Sequence, residues 1–159
     1  VKITIIGPGK LKERYLKDGI AEFVKRLTTY TKLEIIEVSD EKCPENLSPA
    51  DMEIVKKREG ARILSKIHPS SYIITLELEG KQLTSEGLAN KIEEITVGGY
   101  SHITFIIGGS LGLHSDVRKR SHFKLCFSKM TFPHQMMKLI LIEQIYRSFR
   151  ILKNEPYHK

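Results

Sequence analysis

The stretch "HITFIIGGSLGLH" (residues 102–114) decides the fold class. From Ile103 to Ile107 every side chain is apolar except Thr104. A run without polar alternation reads as a strand buried on both faces, and such strands belong to parallel sheets covered by helices. Gly108, Gly109 and Gly112 come directly after it. The carboxyl end of a buried strand is where an open α/β sheet binds its ligands. Glycines at that point let a ligand approach the backbone closely.

The rest of the chain repeats the alternation. β-rich runs occupy 1–7, 32–38, 71–78, 102–109 and 123–127. Helical spacing fills most of the gaps. Leu11, Tyr15, Ile20, Phe23, Val24 and Leu27 recur at helical spacing over 11–29. Ser48 and Pro49 are a cap and a first helical residue for 49–66. "TSEG" opens a third helix over 84–96, in the manner of a capping box. The last helix, 133–152, is apolar almost all round, as expected of one buried in a core or a subunit interface. The pattern predicts an α/β fold, a mostly parallel sheet with helices on both faces. With 159 residues and no repeat or linker, one domain over 1–159 is expected.

Composition narrows the function. Apolar residues make up 40% of the chain, enough for a core. Lys plus Arg is 26 against 19 Asp plus Glu, a net charge of +7, which favours a polyanionic partner. The two cysteines, Cys43 and Cys126, have neither disulfide-framework nor zinc-ribbon spacing. Cys126 is expected in the core and Cys43 in a polar loop. The six histidines lack metal-ligand spacing, so no metal site is expected. The first residues carry no secretory pattern, and no segment has the apolar length of a membrane span. A cytoplasmic location is expected. The polar loop 38–49 reads as a solvated connection.

Three more strand ends carry loops. "ITIIGPGK" (3–10) has two glycines rather than a GxGxxG, and Pro8 removes a donor, so a dinucleotide site there is disfavoured. Lys10, Lys12 and Arg14 are either solvated or set to touch RNA phosphate. "LELEGKQLTSEG" (76–87) turns at Gly80. "FSKMTFPHQMM" (127–137) joins a strand to the last helix through Ser128, Lys129, Met130 and Thr131. Met130 and Phe132 can form apolar walls there, with Ser128 and Thr131 as hydrogen-bonding groups. Together the ends at 76–80, 108–112 and 127–132 suggest one composite pocket for a flat, polar-edged molecule such as an adenosine derivative. Glu143 and Arg147, four apart, are expected to pair on the last helix, and His134 reads as a first-turn helix residue.

Taken together, "LELEGKQLTSE", "FIIGGSLGL", "FSKMTFPHQMMKLILIEQIYRSFRI" and the terminal "PYHK" resemble the RlmH family, small RNA methyltransferases of the SPOUT class. The resemblance covers essentially the whole chain, and "SKMTFPHQ" and the terminal "YH" are its most specific parts. It implies a sheet with a C-terminal trefoil knot, with knot and cofactor site within about 71–155. It implies an S-adenosylmethionine site walled by Leu76, Gly108 and the run Phe127, Ser128, Lys129, Met130, Thr131 and Phe132. It further implies a homodimer that methylates N3 of pseudouridine 1915 in helix 69 of 23S rRNA on assembled 70S ribosomes. His158 is then the candidate base or orienter and Tyr157 shapes the pocket, while Arg147, Arg150 and Lys159 contact RNA. Pro8 and Leu111 depart from the family's usual pattern. The competing readings are another SPOUT RNA methyltransferase with a different target nucleotide, and a non-enzymatic ribosome-binding module.

Overall fold

A computed structural model describes residues 1–42 and 44–159. Cys43, expected in a polar loop, lies outside the described residues. Five strands, β1 (Lys2–Pro8), β2 (Lys32–Val38), β3 (Tyr72–Gln82), β4 (His102–Ile106) and β5 (Phe123–Cys126), alternate with α1 (Arg14–Leu27), α2 (Pro49–Leu64), α3 (Ser85–Val97), α4 (Ser115–Arg118) and α5 (His134–Leu152). The strands form one all-parallel sheet in the order β2-β1-β4-β3-β5.

The two faces of the sheet bury different helices. Ile3, Ile5, Ile103 and Phe105 pack with residues of α1, α3 and α5, among them Ile20, Ile92 and Leu141. Ile6, Ile73 and Ile106 pack on the other side with Ile63 of α2 and Val117 of α4. The crossovers obey one handedness. The connections β1–β2 and β3–β4 step one way along the sheet and carry α1 and α3 on the first face. The connections β2–β3 and β4–β5 step the other way and carry α2 and α4 on the second, as right-handed crossovers require.

Local chemistry sets several boundaries. Ser48 accepts a hydrogen bond from the Asp51 N–H at 3.2 Å, with Pro49 in the first position. Thr84 accepts from the Gly87 N–H at 2.9 Å, but Glu86 is not placed for the reciprocal half of a capping box, and its carboxylate contacts His158 instead. Helix α1 starts at Arg14 rather than at 11. The Leu11 N–H donates to a Glu37 carboxylate oxygen at 2.8 Å, which holds residues 9–13 outside the helix. Strand β4 ends at Ile106 rather than 109, since the chain folds back where Gly109 bridges Gly112. Strand β3 runs past the expected turn: Leu125 of β5 faces both Leu76 and Lys81, so 77–80 loop out and pairing resumes. That return needs Gly80, whose missing Cβ would lie 2.7 Å from the Lys124 carbonyl carbon and oxygen. Loop 38–49 is less free than expected: the Glu41 N–H donates to Glu59 at 3.0 Å and its carboxylate pairs with Arg62 at 2.6 Å. Among the described residues no helix is long and apolar enough to cross a membrane.

Candidate active site

A cavity of about 690 Å3 opens at the carboxyl ends of β3, β4 and β5. Leu76, Glu77 and Glu79 form one wall, residues 108–113 a second, and Cys126 to Ser128 with Met130 to His134 a third. Leu76, Gly108, Phe127, Ser128, Met130, Thr131 and Phe132, all expected to line one pocket, do so. Lys129 is exposed and is not part of the lining. Three strand ends converge here because the order places β3 between β4 and β5.

Each wall is held by its own contacts. A Cβ on Gly108 would lie 2.9 Å from the Gly112 carbonyl carbon, so this turn closes only with glycine at 108. Gly112 has a φ of 84° and donates to the Gly109 carbonyl at 3.0 Å. In the third wall the Ser128 hydroxyl accepts from the Met130 N–H at 3.0 Å, and the buried Cys126 thiol donates to the Ser128 carbonyl at 3.2 Å. Met130 is 76% exposed, an apolar side chain at the cavity rim.

The polar side is built on Glu77, which is nearly buried. It accepts from the Thr75 hydroxyl at 2.6 Å and from Arg118 Nε at 2.5 Å, and Arg118 also reaches Glu79 at 3.2 Å. Glu77 first, and Glu79 after it, hold the guanidinium more firmly protonated than usual. Glu59 lies behind the glycine turn, close to Gly109, and burial pushes its carboxyl above the usual range. His134 is more than a first-turn residue. It lines the cavity, and burial lowers its pKa, favouring neutral imidazole.

The tail occupies a different place. Asn154, with φ 54°, turns the chain off α5. The Tyr157 hydroxyl donates to Glu143 at 2.6 Å, and its ring lies under the Arg147 guanidinium, 4.7 Å from the centroid. Burial, then the Glu143 hydrogen bond, pushes the phenol up to about 12. Arg147 also binds Glu143 at 2.8 Å, as expected, and reaches His158 Nδ1 at 3.0 Å, while His158 Nε2 contacts Glu86. Since Arg147 has only donors, Nδ1 is the acceptor and the ring proton sits on Nε2, toward Glu86. The Glu86 carboxyl is held below its usual range, first by its own backbone N–H and then by His158. Arg150 binds Glu155 at 2.8 Å, the Tyr30 hydroxyl at 3.0 Å and the Pro156 carbonyl at 2.8 Å. Arg147 and Arg150, expected to meet RNA, are therefore engaged inside the chain, and only Lys159 stays exposed. Neither Tyr157 nor His158 lines the cavity.

A family profile described as "Predicted SPOUT methyltransferase" matches residues 1–158. The chain belongs to the SPOUT methyltransferase family. This SPOUT chain is 63% identical over 159 residues, all of both proteins, to the ribosomal RNA large subunit methyltransferase H of Alkaliphilus oremlandii (strain OhILAs). It is 60% identical, again over the full length of both, to the protein of the same name from Carboxydothermus hydrogenoformans. Its fold is similar to that of a probable methylase family protein from Haemophilus influenzae Rd KW20, with a TM-score of 0.52 at 13% identity, covering 99% of this chain and 70% of that one. The tRNA (m1G37) methyltransferase of Aquifex aeolicus gives the same TM-score and identity over 92% of this chain and 70% of that one. As in other α/β sheets, the SPOUT cavity sits at strand carboxyl ends.

Proposed function

We propose that this chain uses S-adenosylmethionine to methylate N3 of pseudouridine 1915 in helix 69 of 23S rRNA, on assembled 70S ribosomes and as a homodimer. The observation that carries the reading is the 63% identity, over the full length of both chains, with a protein named for methylation of large-subunit rRNA. The trefoil knot expected within 71–155 belongs to the same reading, supported by SPOUT membership.

The cavity fits the cofactor. Its volume lies within the range of small-molecule sites, roughly 300–1,000 Å3. Leu76, Met130 and Phe132 would flank a flat purine, the backbone of 108–113 and 127–132 would meet its polar edges, and Glu77 and Glu79, sharing the cation Arg118 between them, leave an excess of one negative charge beside a cationic ligand. When bound, the group supplies a methyl already activated on a positively charged sulfur, so no Lewis acid has to activate it.

What remains for the protein is alignment and proton removal. N3 of pseudouridine carries a proton between two carbonyls and is weakly acidic, so a base or a well-oriented hydrogen-bonding group assists its loss. His158 has both ring nitrogens engaged, by Arg147 and Glu86, which suits an orienting group better than a base. Tyr157 is held as the neutral phenol and would shape the pocket beside it. Because the tail does not line its own cavity, the tail of a second copy would complete the site, which makes the homodimer part of the mechanism.

Nucleoside mass spectrometry of rRNA, after incubation of unmethylated ribosomes with enzyme and S-adenosylmethionine, tests the reading. A new methyl on N3 of the helix 69 pseudouridine is expected. A methyl on another nucleotide would reassign the substrate. No methyl anywhere, with the cofactor shown to bind, would count against the substrate before the fold, whereas failure to bind the cofactor would leave a ribosome-binding module.

A further inference from the structure

The two arginines best placed in sequence to meet RNA are tied to Glu143, Glu155, His158 and Tyr30. Arg26, Arg62 and Arg118 are likewise paired, with Glu22, Glu41 and Glu77. A methyltransferase for RNA still has to neutralise phosphates beside its cavity.

One segment next to the cavity offers uncommitted cations. Lys10, Lys12 and Lys17 are exposed, and no ion pair involves them among the described residues. The Arg14 side chain is 92% exposed, and its one acidic neighbour, Asp18, is 4.0 Å away and itself mostly in solvent. Such a contact holds the guanidinium weakly. Within residues 10–18 these four cations face only Glu13 and Asp18. Among them Tyr15 is 62% exposed. A single aromatic ring surrounded by cations is a poor membrane anchor and a good stacking platform for an unpaired base.

The segment is fixed against the cavity. Its start is held by the Gly9 N–H on the Val38 carbonyl at 2.9 Å and by the Leu11 N–H on Glu37. Gly9, with φ 91°, packs closely against the start of α5: a Cβ there would lie 2.9 Å from Gln135 Nε2 and 3.2 Å from His134 Nε2. His134 is itself part of the cavity lining. The cations therefore begin where the cavity wall ends.

We propose that residues 10–17 form the RNA-tracking surface of this enzyme, with Lys10, Lys12, Arg14 and Lys17 on backbone phosphates and Tyr15 stacked on an unpaired base of the strand that enters the cavity. The inference rests on the rRNA methyltransferase reading above and names the face that reading lacks.

The test compares two triple charge reversals in the full-length protein. One is Lys10→Glu, Lys12→Glu, Arg14→Glu. The other, of equal charge change, is Lys32→Glu, Lys66→Glu, Arg120→Glu, three exposed residues near the starts of strands at the opposite end of the sheet. Binding to 70S ribosomes and to a helix 69 stem-loop is measured against salt, with S-adenosylmethionine binding as the control for folding. The first variant should lose about tenfold or more in affinity at low salt, and its salt slope should flatten by about 2. The second should bind within about threefold of the unaltered protein. Tyr15→Ala should weaken binding about tenfold and Tyr15→Phe should restore it, because stacking needs the ring and not the hydroxyl. Equal losses from both reversals, or none from the first, would overturn the surface while leaving the rRNA reading standing. An unaltered protein that binds cofactor but neither ribosome nor stem-loop would overturn the rRNA reading and the surface with it.

Discussion

Replacing Lys138 with methionine should stabilise the protein. Lys138 lies on the first turns of α5 and is only 2% exposed, and its Nζ has no hydrogen-bond partner among the described residues. Burial lowers its pKa, and the attraction of Glu37 opposes that shift only in part. A buried ammonium carries a desolvation cost that the apolar stem does not recover. Methionine keeps most of the stem's volume and removes the charge. Glu37 is not orphaned, because it keeps the Leu11 N–H. Exchanging buried ion pairs for apolar groups of similar volume is often neutral or stabilising by up to about 4 kcal/mol, and Lys138 has no hydrogen-bonded partner among the described residues whose loss would offset the gain. In a chain of this size each kcal/mol raises Tm by about 2–4 °C. The direction of the shift also sets the pH dependence. Between the lowered folded-state pKa and the unfolded value near 10.5, the unfolded chain binds more protons, so the unaltered protein gains stability as pH rises through that window. The advantage of Lys138→Met should therefore be largest at neutral pH and shrink toward pH 10. Urea unfolding of both proteins at several pH values, with m compared, measures it. A variant less stable at pH 7, or an advantage that grows with pH, would refute the reasoning.

Gly80→Ala should cost about 1–3 kcal/mol in urea unfolding, because its Cβ would meet the Lys124 backbone at 2.7 Å, where only a shift of the β3–β5 pairing relieves it. Glu86→Ala removes the acceptor that fixes the His158 ring; methyl transfer should fall about tenfold at unchanged S-adenosylmethionine affinity, and an unchanged rate would show that the tail needs no such fixing. Ultraviolet titration should show the Tyr157 phenol ionising only near 12, and Glu143→Gln should bring it down toward 10. Since that pKa is raised in the folded protein, the stability linked to it is present below pH 10 and lost as pH climbs toward 12.

The sheet was legible because its strands are continuous runs of β-branched and aromatic residues, such as Ile3 to Ile6 and Ile103 to Ile107, whose burial needs no partner identity to infer. Caps at Ser48 and Thr84 were legible because capping is local chemistry. Other features escaped because they depend on distant residues. The extension of β3 to Gln82 requires the Lys124 backbone, and the late start of α1 requires Glu37. Helix α4 spans four residues, too few for a periodic signal, and is capped by His114 rather than a usual cap residue. The contact of Arg150 with Tyr30 was not legible, because the two lie 120 positions apart and nothing in the sequence places them side by side. Most cavity-lining residues were legible because they sit immediately after a strand, where a parallel sheet opens toward its ligand. His134 was not, since it belongs to a helix and turns toward the cavity only once α5 packs down.

The most direct test of the account mixes two inactive proteins. One lacks Tyr157, His158 and Lys159. The other carries Gly108→Val, which blocks the cavity by forcing apart the turn at Gly112, with circular dichroism confirming its fold. Each alone should fail to methylate 70S ribosomes. Mixed in equal amounts and allowed to exchange subunits, half the dimers pair one of each, and each such dimer holds one site with both a sound cavity and a sound tail. The mixture should then recover about a quarter of the unaltered activity. A mixture as inactive as its parts, with subunit exchange demonstrated, would contradict a site built from two chains.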